Sequence, residues 1–207
     1  MQTSDNLKEK ILSAAGKKML AIGVRSVSIE DICRELGISK KTFYVYFDSK
    51  DRLVEDFLLR YEQHIHQQVK QAMEGKSVID LMLNFVSWQK RMKDLRQIPA
   101  LVYDLRKYYP LQFADYLRLV RSDVCELMTR MLYQGKQEKV FRNNLDVERT
   151  AKIYAALHMV AIEKLLSSKD HPTLIPDTKY AADIFFRGLI SREGAERLRE
   201  KLGISDE

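Results

Sequence analysis

SIEDICRELGISKKTFYVYF, residues Ser28 to Phe47, reads as two short helices joined by a tight glycine turn, a helix-turn-helix. Ser28 opens an S-x-x-D pattern with Asp31, in which side chain and backbone satisfy each other's free donors at a helix start. Ile29, Ile32, Cys33 and Leu36 then recur at helical spacing as one apolar stripe. Gly37 supplies the left-handed conformation that ends this helix, and Ile38 plugs the turn. Ser39 is a good N-cap for a second helix, with Phe43 and Phe47 facing inward and Lys40, Lys41, Thr42, Tyr44, Val45 and Tyr46 facing outward. That outward face carries cations, a hydroxyl and two phenols, with no carboxylate before Asp48.

A major groove accepts one α-helix, which needs cations and hydroxyls for phosphates and hydrogen-bonding or methyl-contacting groups for base edges. The outward residues are of those types. An amphipathic helix pair with an ordinary solvated face accounts for the apolar spacing equally well, so the pattern alone leaves both readings open. The residues just after Phe47 favour DNA. In DSKDRL, Asp48 or Ser49 caps another helix start and Lys50 falls in its first turn. The helix dipole favours anions at that end, so a cation there makes sense if a phosphate sits in front of it, held by backbone N–H groups and the ammonium together.

With these residues in place the segment resembles the DNA-binding domain of the TetR family, the tetracycline-repressor-like bacterial transcription regulators. The matching residues are Ile11, Leu12, Ala14 and Ala15 in a first helix, Gly23 and Val24 before Ser28, then Asp31-Ile32-Cys33, Gly37-Ile38-Ser39, Thr42-Phe43-Tyr44, Tyr46-Phe47 and Ser49-Lys50-Asp51. Cys33 stands where the family usually has alanine, and Lys41 where it often has a small residue. The expected DNA-binding set is Ser28, Ser39, Lys40, Lys41, Thr42, Tyr44, Val45, Tyr46 and Lys50.

Composition fits. The chain has 207 residues, 35 Lys and Arg against 29 Asp and Glu, and a formal charge of +6. Residues 1 to 52 hold 10 basic and 7 acidic residues, so half of the net charge sits on a quarter of the chain. Cys33 and Cys125 lie on apolar helical faces and read as reduced, buried thiols. No signal peptide and no run of about 18 apolar residues is visible, so a cytoplasmic protein with no membrane partner is expected.

Beyond Lys50 apolar residues recur at three and four rather than two, which predicts an all-α chain of about nine to ten helices. Helices are expected at about Asn6 to Ile22, Ile29 to Leu36, Lys40 to Tyr46, Lys50 to Glu74, Val78 to Leu95, Pro99 to Tyr108, Leu111 to Gln134, Val147 to Ser168 and Asp177 to Arg192, with a short one in Glu193 to Leu202. The expected organisation is a three-helix domain over residues 1–49 and a larger ligand-binding and dimerisation bundle over 50–207, with the fourth helix as the mechanical link.

The helix from Val147 has two apolar faces. Val147, Ala151, Tyr154, Ala155, His158, Met159, Ile162 and Leu166 make one, and Ile153, Leu157, Val160 and Ala161 the other. The next helix is apolar nearly all round through Ala181, Ala182, Ile184, Phe185, Phe186, Leu189 and Ile190. Two such helices in a chain this size favour a twofold four-helix interface, and the resemblance implies the same pair. The expected interface is Ala155, Leu157, His158, Ala161, Ile162, Phe185, Phe186 and Leu189. Phe85, Trp88, Met92, Tyr103, Tyr109, Phe113, Tyr116 and Met128 concentrate aromatic and thioether groups as a small-molecule pocket does, though an ordinary helical core does so too. The resemblance implies an inducer site in this bundle.

His64 and His66, two apart on a helix, point in different directions, and His158 on its apolar helix reads as a core or interface histidine. No G-x-S-x-G, P-loop or G-x-G-x-x-G is present, so neither catalysis nor a metal or cofactor is expected. The expectation is a homodimeric DNA-binding regulator, most simply a ligand-responsive repressor on a palindromic operator. A regulator without an effector and a helical ligand-binding dimer without a DNA role stay open.

Overall fold

The computed structural model describes residues 2–83, 98–167 and 174–203. In order, the helices are α1 (Gln2–Ile22), α2 (Ile29–Leu36), α3 (Lys40–Tyr44), α4 (Lys50–Met73), α5 (78–83), α6 (Ile98–Tyr108), α7 (Pro110–Gln137), α8 (Val147–Ser167), α9 (Leu174–Leu189) and α10 (Arg192–Leu202). The fold is all-α. Its one departure among the described residues is an isolated antiparallel bridge between Phe141 and Ile190.

Contacts divide the chain into two compact units, residues 1–67 with 93–119 and residues 68–92 with 120–207. In the first, Ile11, Ala15 and Met19 recur every fourth residue along α1 and are fully buried, as are Val24, Phe43, Phe47, Leu53 and Val54. α6 joins this unit by packing on α1, burying Leu101, Val102 and Leu105. The division expected after residue 49 therefore falls inside the first unit: α6, far away in sequence, completes the cover of α1.

The core of the second unit gathers Val78, Ile79, Met128, Met131, Leu132, Val140, Phe141, Val147, Ala151, Phe186 and Leu189. Phe141 and Phe186 stack with ring centroids 6.5 Å apart. The bridge at Phe141 explains why α9 stops at Leu189 instead of Arg192: Arg142 N–H donates to Leu189 C=O at 3.0 Å and Ser191 N–H to Val140 C=O at 2.9 Å. Ser191 is then free to cap α10, its hydroxyl accepting the Gly194 N–H at 2.9 Å.

α8 and α9 pack on each other within this unit, with Tyr154 against Phe185 at 5.2 Å and Phe186 at 6.2 Å. The two apolar faces of α8 differ in fate. Ala151 and Ala155 are buried, while Ile153, Leu157 and Val160 are 51%, 48% and 54% exposed. On α9, Phe186 and Leu189 are buried and Ile184 is 53% exposed. Ala155, Phe186 and Leu189 of the expected interface are thus enclosed by the subunit's own core, Leu157 lies outside it, and His158, Ile162 and Phe185 are half-buried. The Ala161 side chain lies outside the described residues.

Two glycines carry the turns of the first unit for different reasons. Gly37 has φ 63° and open space where a Cβ would be, whereas at Gly23, φ 82°, a Cβ would lie 2.5 Å from Asp104 Oδ2. Alanine at Gly37 meets only the left-handed backbone cost, about 1 kcal/mol. Alanine at Gly23 adds a collision with a buried carboxylate, for a total of about 2 kcal/mol or more. Denaturant unfolding of Gly23→Ala and Gly37→Ala should rank them in that order; equal losses would mean the Asp104 contact constrains nothing.

Candidate nucleic-acid interface

The first turn of α2 closes as its sequence dictates. Ser28 Oγ accepts the Asp31 N–H at 3.1 Å, and Asp31 Oδ2 accepts both the Ser28 N–H at 3.3 Å and the Ser28 hydroxyl at 2.5 Å. The Ser28 hydrogen bonds hold the Asp31 carboxyl below the usual carboxylate range. Gly37 then turns the chain, and the Ile38 N–H reaches the Cys33 carbonyl at 3.0 Å. Ser39 caps α3 by accepting the Thr42 N–H at 3.0 Å, and its hydroxyl lies 2.8 Å from that of Thr42.

α3 is pinned by two rings. Phe43 and Phe47 are fully buried with centroids 5.6 Å apart, and Tyr44 meets Phe43 edge-on at 5.5 Å. The helix stops at Tyr44, two residues before the expected end, as Val45 and Tyr46 bond back three residues to Thr42 and Phe43. Pinning from one side leaves Lys40, Lys41, Tyr44 and Val45 exposed and Thr42 and Tyr46 half-buried. Val45, 74% exposed, is a branched apolar side chain on a polar face, which suits a thymine methyl better than water.

The sequence gives no sign of one partner on this face. The Lys40 ammonium forms an ion pair with Glu30 of α2, which holds the Glu30 carboxyl below its usual range and the Lys40 ammonium above its own. A residue spaced ten positions away on the preceding helix leaves no periodic signal.

Ser49 caps α4, its hydroxyl accepting the Arg52 N–H at 3.1 Å. Lys50 is half-buried beside this start. Desolvation pushes its ammonium below the ordinary lysine range, against the attraction of Asp104 and Asp51. A partly desolvated cation at a helix N-terminus is costly until an anion arrives. Cys33, by contrast, is buried, and its thiol is pushed up by desolvation and by Glu30.

Of the residues expected to line a pocket, Phe85, Trp88 and Met92 lie outside the described residues. Tyr109, Phe113 and Tyr116 belong to the first unit, Met128 to the core of the second, and Tyr103 is 60% exposed. Tyr116 interacts with Glu62, a buried carboxylate; desolvation first, then the Glu62 charge, raise the phenol. A cleft of about 500 Å³ in the second unit is lined by Lys70, Met73, Glu74, Leu127, Arg130 and Glu138 among others, and contains none of the expected set. His158 stacks on Tyr154 at 6.2 Å, and burial lowers its pKa, which keeps it a neutral packing ring. Among the described residues no group of three or more His, Cys, Asp or Glu is placed to hold a metal.

Residues 11–57 match the profile of the family described as bacterial regulatory proteins, tetR family. YvdT of Bacillus subtilis, an uncharacterized HTH-type transcriptional regulator, is 32% identical over 80 residues, 37% of this chain and 41% of its own length. The chain spans about two fifths to two thirds of the length of the curated relatives it matches. Among solved structures, a TetR-family transcriptional regulator from Pectobacterium atrosepticum is similar with a TM-score of 0.73 at 13% identity, covering 93% of this chain and 98% of that one. A putative transcriptional regulator from Saccharomonospora viridis in complex with choline gives 0.60 at 19%, covering 91% and 100%. At such identities these two likenesses speak for the fold.

If the face around α3 meets DNA, Lys50→Ala should weaken binding to operator and random duplexes alike and reduce the salt slope by about one per subunit contact. Tyr44→Phe should act in the same direction, less. Unchanged affinity and slope for Lys50→Ala would remove the phosphate role. Replacing Lys40 and Val45 together should instead alter the preferred sequence at symmetric positions, at about 1–3 kcal/mol per lost base contact. Selection from randomised DNA reads this directly, and an unaltered motif would place base reading on other residues.

Proposed function

We propose, from the match of residues 11–57 to the tetR family of bacterial regulatory proteins, that the protein is a homodimeric, ligand-responsive transcriptional repressor that binds a palindromic operator. The observation that carries the DNA role is the outward face of α3, where Lys40, Lys41, Thr42, Tyr44, Val45 and Tyr46 surround a helix fixed by Phe43 and Phe47. Each subunit presents one α3 to one major groove, so the operator half-sites lie about one helical turn apart. Ser39, whose hydroxyl caps α3, and Lys50 take the neighbouring phosphates, while Ser28, whose hydroxyl and N–H both donate to Asp31, fixes the start of α2.

The dimer reading rests on Ile153, Leu157 and Val160 of α8 and Ile184 of α9, four large apolar side chains about half exposed on two adjacent helices. Such a face is stable in water when a second copy covers it. Two reading helices on one frame then bind with a combined affinity far beyond either alone.

The effector is proposed to be a small molecule held by the helices that come after the DNA-reading unit. Support comes from the Saccharomonospora viridis neighbour, whose fold is similar and which holds choline. α4 contributes residues to both compact units and is the element through which occupancy alters the separation of the two α3 helices. The protein acts without catalysis, and in the cytoplasm, where its DNA is; no helix among the described residues is long and apolar enough to cross a membrane.

A gel-shift series at low salt against fragments of the gene's own upstream region tests operator binding; absence of a shift with every fragment speaks against autoregulation and, with random DNA also unbound, against the DNA role itself. The dimer is tested by Leu157→Glu and Ile184→Glu, which place a carboxylate on the exposed face and should yield folded monomers by light scattering with at least about 100-fold weaker operator binding. Phe186→Glu serves as the contrast: it buries an unpaired carboxylate in the subunit core and should unfold the chain. Folded dimers of both exposed-face variants would move the interface elsewhere.

A further inference from the structure

We propose that Arg25 and Lys107, carried on the rings of Tyr108 and Tyr103, form a second DNA-backbone contact supplied from outside the helix-turn-helix. Arg25 lies in the turn between α1 and α2, three residues before the cap of the helix that precedes α3. Its guanidinium sits 4.9 Å from the centre of the Tyr108 ring and donates to the Tyr108 hydroxyl at 2.5 Å. The Lys107 ammonium is 5.4 Å from the same ring and 5.5 Å from that of Tyr103, and donates to the Tyr103 hydroxyl at 3.2 Å. Two cations from different elements thus converge on one pair of phenols.

Rings hold a cation without neutralising it. Lys8, Lys18, Lys40, Arg52 and Arg60 of the same unit each pair with a carboxylate. Among the described residues no ion pair involves the Arg25 guanidinium or the Lys107 ammonium, and both residues are exposed. Hydrogen bonds to Tyr103 and Tyr108 hold the Lys107 ammonium above its ordinary range, so it stays charged. The helix dipole favours basic residues in the last turn of α6, which accounts for Lys107 by itself. It does not account for Arg25, brought to the same rings from another element.

The cluster is locked beside the phosphate-facing edge. Asp104, 8% exposed, accepts the Arg25 backbone N–H at 2.8 Å and is also the main charge attracting Lys50 at the start of α4. Asp104 therefore ties α6 to the turn that carries Arg25 and stands near Lys50, the cation assigned to phosphate. Exposed, unneutralised donors held in place in that neighbourhood match the chemistry of successive phosphates along a DNA strand. The inference rests on the DNA-binding reading of α3 and extends its footprint.

The experiment measures binding of a labelled random-sequence duplex by fluorescence anisotropy from about 50 to about 200 mM salt, for wild type, Arg25→Ala/Lys107→Ala, Arg25→Lys/Lys107→Arg, Lys107→Gln and Lys50→Ala. The double alanine variant should lower the magnitude of the log–log salt slope by about 0.9 per lost contact, close to two per reading head, while the charge-keeping double variant holds the wild-type slope. Lys107→Gln, which removes one charge and leaves Arg25 in place, should lose about one even if the double variant fails to fold. An unchanged slope in the double alanine variant and in Lys107→Gln, with a reduced slope in Lys50→Ala, overturns this cluster and leaves the DNA-binding reading standing. Unchanged slopes in all of them overturn both. A lower melting temperature with an unchanged slope shows that Arg25 and Lys107 only pack α6, which overturns the proposal. Stabilisation of wild type but not of the double variant by pyrophosphate at matched ionic strength, again with no slope change, assigns the cluster to a small anion and also overturns it.

Discussion

The face of α3 proposed to read DNA depends on the burial of Phe43 and Phe47. Each ring, fully enclosed, is worth about 2 kcal/mol relative to exposure, which for a helix of five residues exceeds anything its own hydrogen bonds supply. α3 is too short to be stable alone, so its orientation is set by its packing on α2 and by the burial of its rings. With two aromatic anchors spaced four apart fixing its rotation, the remaining residues have one choice of direction. Ser39 and Ser49 reinforce this by fixing where α3 and α4 begin.

The second unit shows the opposite case, an apolar surface left over after the core is complete. Phe141, Phe186, Leu189 and Ala151 close the interior, and α8 and α9 still expose Ile153, Leu157, Val160 and Ile184. A monomer could have carried polar residues there at no cost to its fold. The proposed dimer uses this surface, since two adjacent helices from each of two copies can make a four-helix seam.

Local grammar made the first unit legible. The capping box at Ser28, the φ 63° glycine at Gly37, the cap at Ser39 and the inward Phe43 and Phe47 all arise from spacing within a few residues, and the structure has each of them. Side chains that meet across elements were not legible. Glu30 on Lys40, Asp104 on Arg25, and the choice of which apolar face of α8 the subunit keeps for itself depend on packing between segments up to 79 residues apart. Phe186 illustrates the limit: on a helix apolar nearly all round, periodicity cannot tell the core side from the partner side, and packing against Phe141 and Tyr154 decides it. The proposed pocket was least legible, since aromatic residues at helical spacing serve cores and ligands alike.

The ion pair between Lys40 and Glu30 bears on how the reading face discriminates. Both groups are exposed, so solvent screens their attraction and little is lost when Lys40 leaves. A phosphate or a guanine edge can therefore take the ammonium at small cost, but doing so releases the Glu30 carboxylate into a strongly anionic groove. On the proposed reading, a base pair that offers Lys40 an acceptor must outweigh the exposure of the Glu30 carboxylate, and one that does not leaves Lys40 paired with Glu30. Lys41 has no ion pair among the described residues, so in the proposed interface it would supply attraction alone, and the two neighbouring lysines of one short helix would differ in what they lose on binding.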